Sequence, residues 1–159
     1  MRLTQWTDYT LRVLMYCAAC QTREQPVTIT EIAENYGISR SHLTKIVQEL
    51  AAQKLLETTR GRGGGMRLKK PASEVNLGAV VRATETDFTL VECFDPVQNQ
   101  CRLSSHCGLK GVLSQAMQGY FSVLDGVTLA DLVADRAMVV TSPSSRRAHS
   151  VPGLPMVPA

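Results

Sequence analysis

Residues 28–50 constrain this chain more than any others do. Thr28 stands three residues before Glu31, a capping box that opens a short helix through Ile32, Ala33 and Tyr36, and Gly37 closes it. Ser39 then caps a second helix whose Leu43, Ile46, Val47 and Leu50 fall at i, i+3, i+4 and i+7. Its other face is polar, with Arg40, Ser41, Lys45, Gln48 and Glu49, and with His42 at the margin. Two short helices joined by the tight turn Tyr36-Gly37-Ile38 form a helix-turn-helix pattern, in which the second helix enters a DNA major groove.

The segment after the second helix sharpens that pattern. Leu55 to Arg60 reads as a strand, Gly61 to Gly65 as a turn, and Met66 to Lys70 as a returning strand stopped by Pro71. A glycine-rich hairpin tip carrying Arg60 and Arg62 is a wing. Gly63, Gly64 and Gly65 let backbone approach phosphates, while the arginines supply charge or reach into a minor groove. A dinucleotide fingerprint fails here, because Met66 stands where G-x-G-x-x-G needs its last glycine and no helix comes next. Thr28, Ser39, Arg40, Ser41, His42, Lys45, Arg60, Arg62 and Gly63 to Gly65 are therefore the candidate DNA contacts.

Charge divides along the chain in the same sense. Residues 40–70 hold eight basic side chains against two acidic ones, a local balance of +6, whereas residues 71–135 hold three against eight, a balance of −5. A polyanion should meet the first part and be repelled by the second. A solvated basic face is the plainer alternative.

The remaining chain completes a mainly α fold with a small β wing: a winged helix-turn-helix domain plus a long dimerisation helix. Trp6, Tyr9, Val13, Tyr16, Cys17 and Cys20 share one face of a first helix over residues 3–20. Asn76 to Ala83 reads as another short helix, and no period persists from there to about Ser105. Leu109, Val112, Leu113, Ala116, Met117, Tyr120, Phe121 and Leu124 then repeat at helical spacing for four turns, a stripe suited to packing on a second copy or, alternatively, to an intramolecular core. Thr128 caps a last short helix through Val133. The expected division is 1–75 for DNA binding, 76–135 for a cofactor loop and dimer helix, and 136–159 for a disordered tail rich in Ser, Pro and Arg.

Composition removes several functions. At 159 residues and 17.4 kDa there is room for one domain, and aromatic residues at 5% are too few for an RNA reader built on stacked rings. No apolar run reaches a membrane span, and Asp8 and Arg12 interrupt the N-terminal stretch that would otherwise suit a signal peptide, so a cytoplasmic location is expected with no membrane partner. No paired carboxylates, nucleophile-base constellation or phosphate loop stands out, and His42, His106 and His149 lack evident catalytic partners, which argues against an enzyme.

Five cysteines in such a chain are thiols or metal ligands rather than a disulfide framework. Cys93, Cys101 and Cys107 are spaced C-x7-C-x5-C just before the long helix, and soft sulfur donors suit zinc or an iron-sulfur cluster. Glu92, Asp95 and His106 are local candidates for a fourth donor, and ordinary thiols are the alternative. Cys17 and Cys20 have C-x-x-C spacing, but their place on the apolar face of the first helix favours core packing.

Taken together, these segments resemble the winged-helix, iron-sulfur-binding repressor family that includes IscR and the nitric-oxide sensor NsrR. The resemblance runs from Met1 to about Ala134. It rests on Leu3 to Arg12 (LTQWTDYTLR), Tyr36 to Ile46 (YGISRSHLTKI), Arg60 to Leu68 (RGRGGGMRL), Lys70-Pro-Ala-Ser73 and the three cysteines before a long helix. Within the family it is most similar to the NsrR type, because Leu129-Ala-Asp-Leu-Val133 matches and Cys107 is followed by Gly108-Leu-Lys110, with Lys110 where IscR proteins place a ligand histidine.

The resemblance implies a homodimeric repressor whose Cys93, Cys101 and Cys107 hold a 4Fe-4S cluster, with Asp8 of the partner as fourth ligand and Arg12 orienting that carboxylate. It implies that nitric oxide is the signal and that nitrosylation of the cluster releases palindromic double-stranded operator DNA. The alternatives are a 2Fe-2S, IscR-like regulator of iron-sulfur status, and a thiol- or zinc-based winged-helix regulator of redox state.

Overall fold

Thr4 accepts a hydrogen bond from the Thr7 amide at 3.3 Å and so starts helix α1, Gln5–Ala19. The computed structural model describes residues 2–95, 97–103 and 106–134. The expected tail, His149 included, lies outside the described residues. Thr28 and Glu31 form the reciprocal capping box that opens α2, Ile29–Tyr36, and Gly37 ends it in the left-handed region at φ +65°. Ser39 caps α3, Arg40–Ala52, by accepting from the His42 amide.

The wing is β1, Leu56–Thr59, paired antiparallel with β2, Gly65–Leu68, in a register that sets Leu56 opposite Leu68 and Thr58 opposite Met66. Both strands are shorter than the sequence predicts, and Gly65, expected in the turn, opens β2; the Lys69 amide still bonds the Leu55 carbonyl at 3.0 Å just beyond the paired residues. Val27, just before α2, bridges to Met66 and docks the wing on the head.

Asn76 accepts from the Ala79 amide and caps α4, Leu77–Thr84. An irregular segment with a 3-10 turn at Glu92–Phe94 leads to α5, Gly108–Asp125, and Thr128 with Asp131 boxes the start of α6, Leu129–Leu132. The core gathers Val13, Leu14, Tyr16 and Cys17 from α1, Ile32 from α2, Leu43, Ile46 and Leu50 from α3, and Leu129 from α6, all almost fully buried.

Helix α5 is the exception. None of its residues is buried within the chain, so its stripe is not an intramolecular core. One half of the stripe lies over the irregular segment, where Phe121 stacks edge-on against Phe88 at 4.9 Å. The other half, Leu109, Val112 and Ala116 with Val123, is exposed; Leu109, Val112 and Val123 are each more than 60% accessible. Among the described residues no helix is long and apolar enough to cross a membrane.

Candidate DNA-reading head and cysteine loop

Burial of the Leu43, Ile46, Val47 and Leu50 stripe leaves the other face of α3 to solvent. Arg40, Ser41, His42 and Lys45 are all exposed on it. The hydroxyls of Thr28 and Ser39 accept from the amides they cap, which leaves the Thr28 O–H proton available to a phosphate oxygen, while the Ser39 hydroxyl also pairs with that of Ser41 at 3.3 Å. The His42 ring lies 6.3 Å from that of Tyr9 on α1, so the start of the reading helix leans on the first helix.

Arg60 and Arg62 are exposed at the wing tip, where Gly61 takes φ +98° and Gly63 φ +80°. The glycines here do not share one purpose. Around Gly63 a side chain would meet open space, whereas one on Gly64 would overlap the Thr59 carbonyl and one on Gly65 the Val27 carbonyl. Gly64 and Gly65 are thus required by packing, while Gly63, like Gly61, is open to a ligand. Arg62→Ala is expected to weaken DNA binding about equally across sequences and to reduce the slope of log affinity on log salt by about 1, measured by anisotropy titration over a salt series. An unchanged slope would remove Arg62 from the phosphate contacts.

A polar network that the sequence does not announce holds the head together. Arg23 donates to both carboxylate oxygens of Glu31, at 2.6 and 2.9 Å, and also to the carbonyls of Gln25 and Pro26. Tyr16 of α1 donates to Glu31 at 2.9 Å, and Asn35 donates to the Tyr16 oxygen at 3.1 Å. The Arg23 hydrogen bonds hold the Glu31 carboxyl below its ordinary value of 4.5 against the opposing effect of burial. The linked stability is present above pH 4.5 and is lost as pH falls through the depressed value. Glu31→Gln should therefore lower the thermal midpoint at neutral pH and flatten its fall on acidification, measured by scanning calorimetry from neutral to acidic pH.

The cysteine loop and α5 together form an excursion whose two ends meet, where α4 contacts the last turn of α5. Arg82 on α4 donates to both carboxylate oxygens of Asp125 at the end of α5, at 2.5 and 2.7 Å, and its guanidinium lies 4.1 Å from the Phe121 ring centroid. Asn76 adds a bond to the Asp125 carbonyl at 2.7 Å. Gly78 makes room for this joint, since a side chain there would collide with the Asp125 carboxylate.

From that joint the loop runs past Cys93 in the 3-10 turn and Cys101 to Cys107, which immediately precedes α5. Glu92 accepts from the Gln100 amide at 2.6 Å, folding the neighbours of Cys93 and Cys101 onto each other. All three thiols are partly exposed, and Cys93 lines a cavity of about 1030 Å³ between this loop and α5.

Asp8, in the first turn of α1, is held by Arg12 through two bonds of 2.8 and 3.0 Å, with both side chains roughly half exposed. Among the described residues no group of three or more His, Cys, Asp or Glu side chains is placed to hold a metal ion, so one chain brings the three cysteines to one loop but does not close a site. The donor types, three soft thiols and a carboxylate, fit an iron-sulfur cluster chemically. Cys17 and Cys20 belong to the core, at 2% and 8% exposure, and burial holds the Cys17 thiol far above the ordinary range.

A helix-turn-helix with an exposed reading helix, a two-stranded wing and a long helix with a bare apolar face define a winged-helix regulator. The chain belongs to the Rrf2 family, described as an iron-dependent transcriptional regulator, which it matches over residues 3–135. It is 49% identical over 136 residues to the HTH-type transcriptional regulator NsrR of Bacillus subtilis strain 168, covering 86% of this chain and 92% of that one. Its fold is similar to that of T. potens IscR, with a TM-score of 0.68 at 21% identity over 94% of each chain. It is also similar to CymR, the global cysteine regulator of B. subtilis, with a TM-score of 0.66 at 23% identity over 84% of this chain and 97% of that one. The family and the NsrR relative are transcriptional regulators, and the chain is a regulator and not an enzyme.

Proposed function

We propose that this chain is a homodimeric repressor that holds palindromic operator DNA while an iron-sulfur cluster is in place and releases it on exposure to nitric oxide. The observation that carries this reading is the position of Cys93, Cys101 and Cys107. They lie on one loop that leaves the Arg82–Asp125 joint and enters the first turn of a helix whose apolar face is bare. The 49% identity to NsrR supports nitric oxide as the signal.

Cys93, Cys101 and Cys107 would hold the cluster, with Asp8 of the second subunit completing the donor set and Arg12 orienting its carboxylate. When bound, a four-iron cluster supplies iron that reacts with nitric oxide, most accessibly where a carboxylate replaces the better-matched thiolate. The chain's own part is mechanical. A loop tied to the other subunit's α1 sets the spacing of the two reading helices, and half-sites must match a groove repeat of about 34–36 Å. Releasing the tie lets the heads drift from that spacing. Arg40, Ser41, His42 and Lys45 would read the major groove, with Thr28, Ser39 and the wing at the backbone.

The test is anaerobic purification with absorption spectroscopy and iron and sulfide assays. Nitric oxide is then titrated in while binding is recorded to a duplex selected from a randomised library. A brown protein with a four-iron spectrum that bleaches and frees DNA is the expected result. A two-iron spectrum indifferent to nitric oxide would favour an iron-sulfur-status regulator, and a colourless protein a thiol or zinc regulator; either overturns the proposal.

A further inference from the structure

Cys17 and Cys20 take no part in the reading head or the cysteine loop. They stand at the end of α1 at positions i and i+3, which share a helical face. Between them and the wing lies a cavity of about 210 Å³, much larger than the roughly 30 Å³ that one water occupies. Met66 of β2 and Arg67 line it from the opposite side, and the exposed Gln21 and Gln25 mark its route to solvent. Well-packed interiors carry few such voids, and the residues lining this one include all three sulfur-bearing side chains Cys17, Cys20 and Met66.

The donor set selects the ligand. Zinc needs about four N, O or S ligands, and among the described residues no third His, Cys, Asp or Glu joins this pair to make a metal group. The carboxylate that interacts with the Cys17 thiol, Glu31, is already occupied by Arg23 and Tyr16. Thiolate and thioether sulfur together suit Cu(I) and similar soft ions, which accept low coordination numbers. Two thiolates around a monovalent cation leave one net negative charge. Arg67, whose guanidinium donates to the carbonyls of Arg23 and Glu24 at the cavity's edge, offsets it.

We propose that Cys17, Cys20 and Met66 form a binding site for a soft monovalent d10 cation of the Cu(I) class, separate from the Cys93, Cys101 and Cys107 loop. Each thiol releases its proton as its sulfur binds, so two protons leave per cation and no oxidation state changes. Met66 makes both backbone hydrogen bonds of the bridge to Val27, at 2.7 and 3.0 Å. Drawing its sulfur toward α1 therefore braces the wing against the first helix.

The test uses the full chain carrying Cys93→Ser, Cys101→Ser and Cys107→Ser, so that those thiols do not compete and the outcome is independent of what the loop holds. It is titrated anaerobically with Cu(I) against a chromophoric Cu(I) chelator. Uptake of one Cu(I) per chain, a sulfur-only coordination shell at the copper K-edge and a raised Tm are expected. Cys20→Ser, at the cavity's more exposed side, should weaken binding by about 100-fold, and Met66→Leu, which keeps the apolar volume, by about tenfold. Far-UV circular dichroism confirms that each variant is folded. Failure to retain Cu(I), uptake unchanged by Cys20→Ser, or a shell of nitrogen and oxygen would each overturn the site, the last without reference to any variant at Cys17 or Cys20.

Discussion

Val112→Glu is expected to convert a dimer into monomers and to lower operator affinity by about a thousandfold, with little change in the fold of the chain. Val112 is 63% exposed on α5 and shares its open face with Leu109, Ala116 and Val123. A carboxylate there meets water in the isolated subunit and costs almost nothing. In a twofold dimer the same patch faces its own copy, so each subunit would bury an unpaired negative charge close to its mate. The effective desolvation penalty is several kcal/mol per ion, enough to dissolve an interface of ordinary strength. A monomer then reads one half-site and falls toward non-specific affinity, about a thousandfold or more weaker than specific binding. Sedimentation velocity and DNA titration of the same sample check both halves of the expectation. A variant that stays dimeric would place the interface elsewhere, and a wild-type chain that is already monomeric would remove the dimer from the proposed mechanism.

The parts of this structure legible in the sequence are those decided within one turn of helix or one hairpin. Thr28 with Glu31, Ser39, Gly37 and Thr128 all cap where their chemistry says they should, because capping depends on neighbours within four residues. The end of α3 escaped the same logic. Lys54 takes the left-handed position where glycine is usual, while the Leu55 amide bonds the Leu50 carbonyl at 2.9 Å and the Lys54 amide the Ala51 carbonyl at 3.1 Å, so no residue type marks the stop. Contacts between distant residues were equally silent. Arg23 meets Glu31 across eight positions and Arg82 meets Asp125 across forty-three, and neither pairing has a local signature. The apolar period of α5 announces a stripe but not what covers it, since periodicity carries no record of the partner. The cysteine loop obeys the same rule: donor type and spacing are written in the chain, while among the described residues no group of three or more His, Cys, Asp or Glu side chains is placed to hold a metal ion.

Gly65→Ala is expected to destabilise the fold by about 1–3 kcal/mol and to weaken DNA binding, whereas Gly63→Ala is expected to affect binding while leaving most of the stability intact. The difference lies in what each new methyl group meets. At Gly65 it would overlap the Val27 carbonyl oxygen and stand 3.0 Å from the Pro26 Cβ, so a main chain must move. That main chain has little freedom. Val27 is bonded to Met66 in both directions, Arg23 donates to the Pro26 carbonyl, and Arg67 donates to the carbonyls of Arg23 and Glu24. The wing must therefore lift off the head or the loop before α2 must shift, and either displaces Arg60 and Arg62 from the reading surface. At Gly63 the methyl enters open space, and the left-handed φ of +80° strains the hairpin tip alone, which relaxes without moving the head. Its effect on DNA then reports close approach of backbone to phosphate. Urea midpoints beside DNA titrations of the two variants separate the roles: a larger midpoint loss for Gly65→Ala assigns it to the wing's attachment. Equal losses would mean that the wing is held by its tip conformation and not by its contact with Val27.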